Sequence, residues 1–337
     1  MPTPGLRLPT SDFSNRALLW SCGLVLVLLV PLIDQALPAT TALTSRVIPI
    51  FLFAILGLGL TVISGFTGLL NLGAAAFMAL GAYAFSILTC PIYPFQIGFW
   101  PGLVAATLVG ALAGAAVALP AMRLRGDYLA IVTLGLGEIV QDVLKNLDPI
   151  TRGTQGLVPV AQPASGVYPR YYIFLALLLL VVWLCVALRR SRTGRAWEAV
   201  REDELAARCM GVSTARAKLS AFAFGSALCG LGGALYASLN NSSLDPGNYD
   251  FQRSVIILCI VIVGGLGSIG GALLGAAIMI GFDAILLDEL SKAIGGDSGT
   301  SAVWAEPGNW KLLIYGLALV LMMRFRPAGL LPERSSP

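Results

Sequence analysis

Glu138, Gln141 and Asp142 fall at helical spacings of three and four inside the apolar stretch DYLAIVTLGLGEIVQDVLKN, residues 127 to 146. An ionisable group in such a stretch is costly and normally faces a bundle interior or water. The chemistry open to it is recognition of a polar solute or a hydrogen bond between helices. Glu138 and Asp142 share one helical face and would repel if both were charged, which places them toward a membrane edge. Asn71, in GLLNLGAAAF, lies among glycines where unwound backbone could coordinate a polar group. Tyr83 and Thr133 add hydroxyls to the same candidate pathway, and Asp283 reads as a structural hydrogen-bond partner or an interfacial charge. No carboxylate pair, Ser/Lys dyad or metal-ligand spacing stands out, so no catalytic residue and no metal ligand are assigned. The absence of histidine removes the commonest proton shuttle.

A second kind of chemistry is carried by SRTGRAWEAVREDELAARCMGV, Ser191 to Val212, a polar segment between two uncharged apolar runs. From Arg189 to Lys218 there are eight Lys/Arg and four Asp/Glu, the excess that marks a cytoplasmic loop. Leu205, Ala206, Ala207, Cys209 and Met210 supply apolar contacts for a short helix, with Glu204 and Arg208 as an i,i+4 pair and Gly211 as its stop. Ser213 or Thr214 then caps the next helix. The segment is either a solvated surface helix or a lever lying on a cytoplasmic partner and tied on both sides to membrane helices.

The elements that hold these residues follow from composition. With 57% hydrophobic and 12% charged residues among 337, and a mean hydropathy of +0.82, the chain has too little polar surface for a soluble globule. It reads as an all-α, polytopic transmembrane bundle. A crossing helix needs roughly 20 apolar residues, which places about ten spans near 18–33, 46–64, 69–89, 98–120, 128–146, 171–188, 218–238, 254–270, 272–288 and 310–325. The basic groups at Arg7 and Arg16, at Arg123 and Arg125, at Arg189 to Lys218, and at Arg324, Arg326 and Arg334 then face one side, with both termini cytoplasmic. Residues 1–17 and 326–337 become tails, 18–325 the permeation body, and 189–217 its large cytoplasmic loop. The net charge of +4 reports orientation rather than a nucleic-acid partner. The six cysteines are scattered, so no disulfide framework is indicated, and the first apolar run reads as an anchor rather than a removed signal peptide. Glycines cluster from Gly57 to Gly73 and from Gly264 to Gly271, the pattern of tightly packed helices or of broken, re-entrant ones lining a cavity. The runs VISGFTG, from Val62, and VIVGGLG, from Val261, echo each other weakly.

RLRGDYLAIVTLGLGEIV (Arg123 to Val140), GRAWEAVREDELAARCMGV (Gly194 to Val212), VGGLGSIGGALLGA (Val263 to Ala276) and LVLMMRFRPAGLLP (Leu319 to Pro332) closely resemble the permeases of branched-chain amino acid ABC importers. Among these the chain looks like the longer of two partner permeases that form a heterodimer in a bacterial-type inner membrane. The resemblance implies a second homologous permease, two cytoplasmic ABC ATPases carrying ATP and Mg, a periplasmic or lipid-anchored solute-binding protein, and a neutral amino acid as the cargo. It also implies that the coupling helix gripping an ATPase lies within Gly194 to Gly211, with Gly194, Arg195, Glu198, Arg201, Glu202, Asp203, Glu204, Ala207 and Gly211 as its candidate residues. The general permease pattern Glu-Ala-Ala, three residues, Gly aligns with Leu205-Ala206-Ala207 and Gly211, so Leu205 stands where the glutamate is expected. No GxxxxGK[ST] loop occurs, so no cofactor is expected on this chain and energy must arrive through another subunit. Related permeases carry urea or short amides, which is the alternative cargo. An ion-coupled secondary transporter is the alternative of a different class, and it would need a titratable cluster at the midplane.

Overall fold

Backbone amides in a bilayer have no water to bond, and helices satisfy them internally; in the computed structural model every extended regular element among the described residues is a helix. The structure describes residues 25, 27–32, 34, 43–94, 96–121, 127–157, 161–239, 244–287, 310–326 and 328–331. The expected N-terminal tail, much of the expected first span, Arg123, Arg125, all of 288–309 and the expected C-terminal tail apart from 326 and 328–331 lie outside the described residues. The helices are α1 (Leu43–Leu60), α2 (Ala74–Thr89), α3 (Phe99–Ala121), α4 (Asp127–Asn146), α5 (Asp148–Thr151), α6 (Val167–Arg190), α7 (Arg192–Glu202), α8 (Glu204–Cys209), α9 (Thr214–Leu239), α10 (Phe251–Gly264), α11 (Ile269–Gly281) and α12 (Lys311–Phe325).

Among the described residues, four helical stretches are long and apolar enough to cross a membrane: Leu43–Phe66, Phe99–Pro120, Val167–Arg190 and Thr214–Leu239. Ala74–Thr89, Phe251–Gly264 and Ile269–Ala284 are apolar but shorter. α1 is capped by the Asp34 carboxylate, which accepts from Leu43 N at 2.9 Å and from Thr44 Oγ1 at 2.6 Å. It runs on through a π-helical turn, Thr61–Phe66, where Thr61 Oγ1 donates to Gly57 O at 2.7 Å and Thr67 Oγ1 to Ile63 O at 2.5 Å. Such back-bonding widens and bends a helix.

Two expected spans have different limits. The helix expected from 69 starts at Ala74, because Gly68 takes a φ of +69° and the chain to Gly73 runs without helical bonds. The spans expected at 254–270 and 272–288 are divided earlier, between Gly264 and Ile269, where Gly265 and Gly267 have φ of +124° and +84°. Ser268 Oγ caps α11 by accepting from Gly271 N at 3.1 Å. The two echoing runs touch here: a Cβ on Gly65 would sit 2.6 Å from Gly267 N.

At the centre, α9 crosses α2 and α3 through small residues. A side chain on Gly81 would collide with the Gly230 backbone, one on Gly233 with the Met78 carbonyl, and one on Gly110 would come within 2.6 Å of Ser226 O. Small residues permit this backbone approach, and close packing is what associates helices in lipid. Elsewhere the surface is apolar: Val104, Leu108 and Leu112 on α3, Leu180 and Trp183 on α6, and Leu313, Leu317 and Val320 on α12 are all exposed.

Candidate functional site

The charged segment folds as a helical hairpin of two short helices rather than one. α7 begins at Ser191, whose Oγ accepts from Gly194 N at 3.3 Å and donates to Leu188 O at 2.6 Å. Gly194 is buried, and a Cβ there would collide with the Arg189 and Leu188 carbonyls, so it shapes the turn and presents no surface. Trp197 and Val200, one helical turn apart, are the buried face of α7. Trp197 Nε1 donates to Ser220 Oγ of α9 at 3.0 Å, and its ring stacks on Phe66 at 6.4 Å. Glu198 accepts from Arg189 at 3.2 Å, Arg189 also lies over the Phe66 ring at 5.4 Å, and Arg195 donates to Arg190 O at 3.1 Å.

Asp203 breaks the hairpin and caps α8, accepting from Leu205 N at 2.7 Å and Ala206 N at 3.0 Å. Glu204 turns inward, bonded to Arg208 at 2.7 Å and to the buried Lys218 at 2.8 Å. Burial raises its pKa, and Lys218 and Arg208 outweigh that, so it stays below the ordinary carboxylate value. Thr214 Oγ1 accepts from Arg208 Nε at 3.0 Å, so that hydroxyl serves α8. Ala207 is buried. Gly211 has a φ of +83° with open space around it, the left-handed stop that glycine allows. The other four residues expected as apolar contacts are exposed: Ala206 and Cys209, with Leu205 at 72% and Met210 at 84%. Arg201, Glu202 and Asp203 are exposed beside them, and Asp203, Glu204, Leu205 and Arg208 line a surface cavity of about 300 Å³.

The polar residues of the apolar helices separate into three places. Asn71 and Thr133 meet at the start of α2, where Thr133 Oγ1 accepts from Leu72 N at 3.0 Å and Asn71 Oδ1 from Gly73 N at 2.9 Å. Tyr83 and Gln141 meet the loop before α10: Tyr83 Oη donates to Leu244 O at 3.0 Å and Gln141 Nε2 to Pro246 O at 3.2 Å. Both are buried. Glu138 stands apart. It is exposed with Asp142, Ile131, Ile139 and Val143 on the outer face of α4. Asp283 is bonded to Lys311. Among the described residues no group of His, Cys, Asp and Glu could hold a metal.

The family profile described as branched-chain amino acid transport system / permease component matches residues 43–323, which includes the hairpin and all three polar places. The chain belongs to this family. The high-affinity branched-chain amino acid transport system permease protein LivM of Escherichia coli K12 is 38% identical over 310 residues, 83% of this chain and 68% of that protein. LivM of Salmonella typhimurium is 36% identical over the same shares. The permease protein LivH of Escherichia coli K12 is 25% identical over 252 residues, 67% of this chain and 79% of LivH. No solved structure matches the chain. The permease fold thus adds what its motifs leave out. Trp197 at apolar spacing inside a polar helix is a legible sign of the hairpin's anchor; that Glu204 points inward depends on Lys218, fourteen residues on.

Proposed function

We propose that this permease is the transmembrane half of an ATP-binding cassette importer for branched-chain and other neutral amino acids, working as one of two partner permeases. Support for the cargo comes from the LivM and LivH relatives and from the scarcity of fixed charge along apolar helices, which suits a zwitterion with an apolar side chain. The observation that carries the reading is the hairpin: α7 and α8 are fixed to α1, α6 and α9 by Trp197, Arg189 and Glu204 while Glu202, Leu205 and Met210 are presented outward. That arrangement fits a cytoplasmic ATPase that pushes a rigid lever. Of the candidate acids, Glu202 and Asp203 are on the exposed surface and Glu204 holds the lever together.

The chain brings no ATP site of its own, and ATP with Mg is bound by two ATPase subunits. A solute-binding protein delivers the amino acid from the other side. The about ten spans expected from the sequence, with both termini cytoplasmic, put the hairpin on the ATPase side, and the short α2, α10 and α11 are the broken segments around the path. The face of α4 that carries Glu138 is the surface for the second permease, because a carboxylate left against lipid is costly whereas a shared interface or water-filled path accommodates it.

Uptake of labelled leucine, alanine and urea into liposomes holding this permease, its partner permease, the ATPases and the binding protein tests the reading. ATP-dependent leucine or alanine uptake is the expected result. Urea uptake alone would replace the cargo, and uptake without ATP would turn the reading toward an ion-coupled carrier.

A further inference from the structure

The first turn of α2 is closed by side chains from three elements. Leu72 N–H donates to Thr133 Oγ1 of α4 at 3.0 Å, Gly73 N–H to Asn71 Oδ1 at 2.9 Å, and Ala75 N–H to Ser254 Oγ of α10 at 3.0 Å. All three side chains are buried, Asn71 to 1% exposure. The Asn71 amide lies on this turn, and its Nδ2 has no hydrogen-bond partner. The amide cannot be turned over to remedy this, because the atom facing the Gly73 N–H must be an acceptor. A buried donor left open costs on the order of 1–3 kcal/mol and calls for an explanation. The turn is also the positive end of a 16-residue helix, beginning inside the protein where a chain segment is unwound. With the N–H groups of Leu72, Gly73 and Ala75 already bonded, this end offers an anion its dipole and the Asn71 amide, and in broken membrane helices such ends meet the anionic group of the cargo.

We propose that the N-terminal turn of α2, with Asn71 Nδ2 as its side-chain donor, binds the carboxylate of the transported solute. The inference rests on the amino acid reading above and locates the cargo within it. Thr133 and Ser254 are positioning residues, spending their oxygens on the turn that aims Asn71. At 1% exposure the site is shut off from bulk water, so the cargo reaches it when α4 or the 67–73 segment moves.

The test is ATP-dependent uptake of labelled leucine by the full reconstituted complex carrying Asn71→Asp. That variant keeps the shape and the oxygen for Gly73 N–H, and puts a charge where the donor stood. Expected is a loss of about tenfold or more at neutral pH, equivalent to about 1.4 kcal/mol, with subunit copurification and basal ATP hydrolysis as in the wild type. Uptake should recover as pH falls through the introduced carboxyl's pKa, since the protonated group again offers a donor; a misfolded site would show no such recovery. Wild-type-like uptake by Asn71→Asp, or a deficit that pH does not move, overturns the proposal. If Asn71→Asp fails to assemble, Asn71→Ala takes its place: it withdraws the donor together with the acceptor for Gly73 N–H, so normal uptake by the assembled complex overturns the assignment, and failure of both variants to assemble overturns it in favour of a folding role. A wild-type complex that hydrolyses ATP but takes up no leucine fails the amino acid reading itself, a result separate from any difference between variants.

Discussion

Individual carboxylates in this permease have distinct tasks that their environments set. Glu204 lies below its ordinary value of 4.5, so its contribution to stability is present above that pH and is lost as pH falls below it through the folded-state pKa. Glu204→Gln leaves Lys218, 6% exposed at its side chain, without its anion, and about 2 kcal/mol of local stability should go with it. Limited proteolysis within 203–212 should quicken in that variant, and in the wild type below pH 4.5; an unchanged cleavage rate in both would show that the pair does not hold the hairpin. Glu138 is the opposite case, exposed on the outer face of α4. Glu138→Gln should weaken copurification with the second permease by about tenfold, the scale of one charge-assisted hydrogen bond, because the face that carries it is the surface proposed for that partner. Intact copurification with slowed leucine uptake would instead make Glu138 a residue of the path.

Helices in this permease are placed by glycine contacts, and those contacts explain what the sequence does and does not reveal about its fold. Gly233 lies where a Cβ would meet the Met78 carbonyl, whereas one on Gly135 would meet nothing within 4 Å. Gly233→Ala should therefore cost about 3 kcal/mol through overpacking, read as a lower unfolding temperature of the purified permease. Gly135→Ala should be neutral or slightly stabilising, since alanine favours helix. Equal behaviour of the two would mean that α2 shifts to make room. Helices such as α3, found at Phe99–Ala121 where 98–120 was expected, and α9, at Thr214–Leu239 against 218–238, were legible because long uncharged runs suffice to define them. The start of α2 was not, since the chain is unwound from Gly68 to Gly73 and held by bonds from Leu72 N–H to Thr133 and from Ala75 N–H to Ser254, which no local pattern encodes. The charged hairpin was legible as a unit, but its break at Asp203 was hidden by a continuous helical composition. The pairing of Asn71 with Thr133, and the separation of both from Glu138, required the tertiary fold.

Across the whole molecule a mechanical route joins the hairpin to the start of α2. Trp197 stacks on Phe66 at the end of the π-helical turn, and the next segment passes Arg201 at Gly68, where a Cβ would stand 3.3 Å from Arg201 Cγ. From there three residues lead to Asn71. On the importer reading proposed above, a push on α8 and α7 from an ATPase would be delivered to the unwound segment as well as to α6 and α9, and the broken helix would supply a joint that a continuous one lacks. Gly68 has a φ of +69°, a conformation that a β-branched residue adopts only with strain of about 1–3 kcal/mol. Gly68→Val should therefore redirect the segment while sparing the core on either side of it. The expected outcome is ATP hydrolysis that persists in the assembled complex while leucine uptake per ATP falls by about tenfold, the ratio a coupling loss of about 1.4 kcal/mol gives. Measuring both rates on the same liposomes checks it: a proportional fall in hydrolysis and uptake would place Gly68 in assembly, and both rates at the wild-type level would confine the lever to α6 and α9.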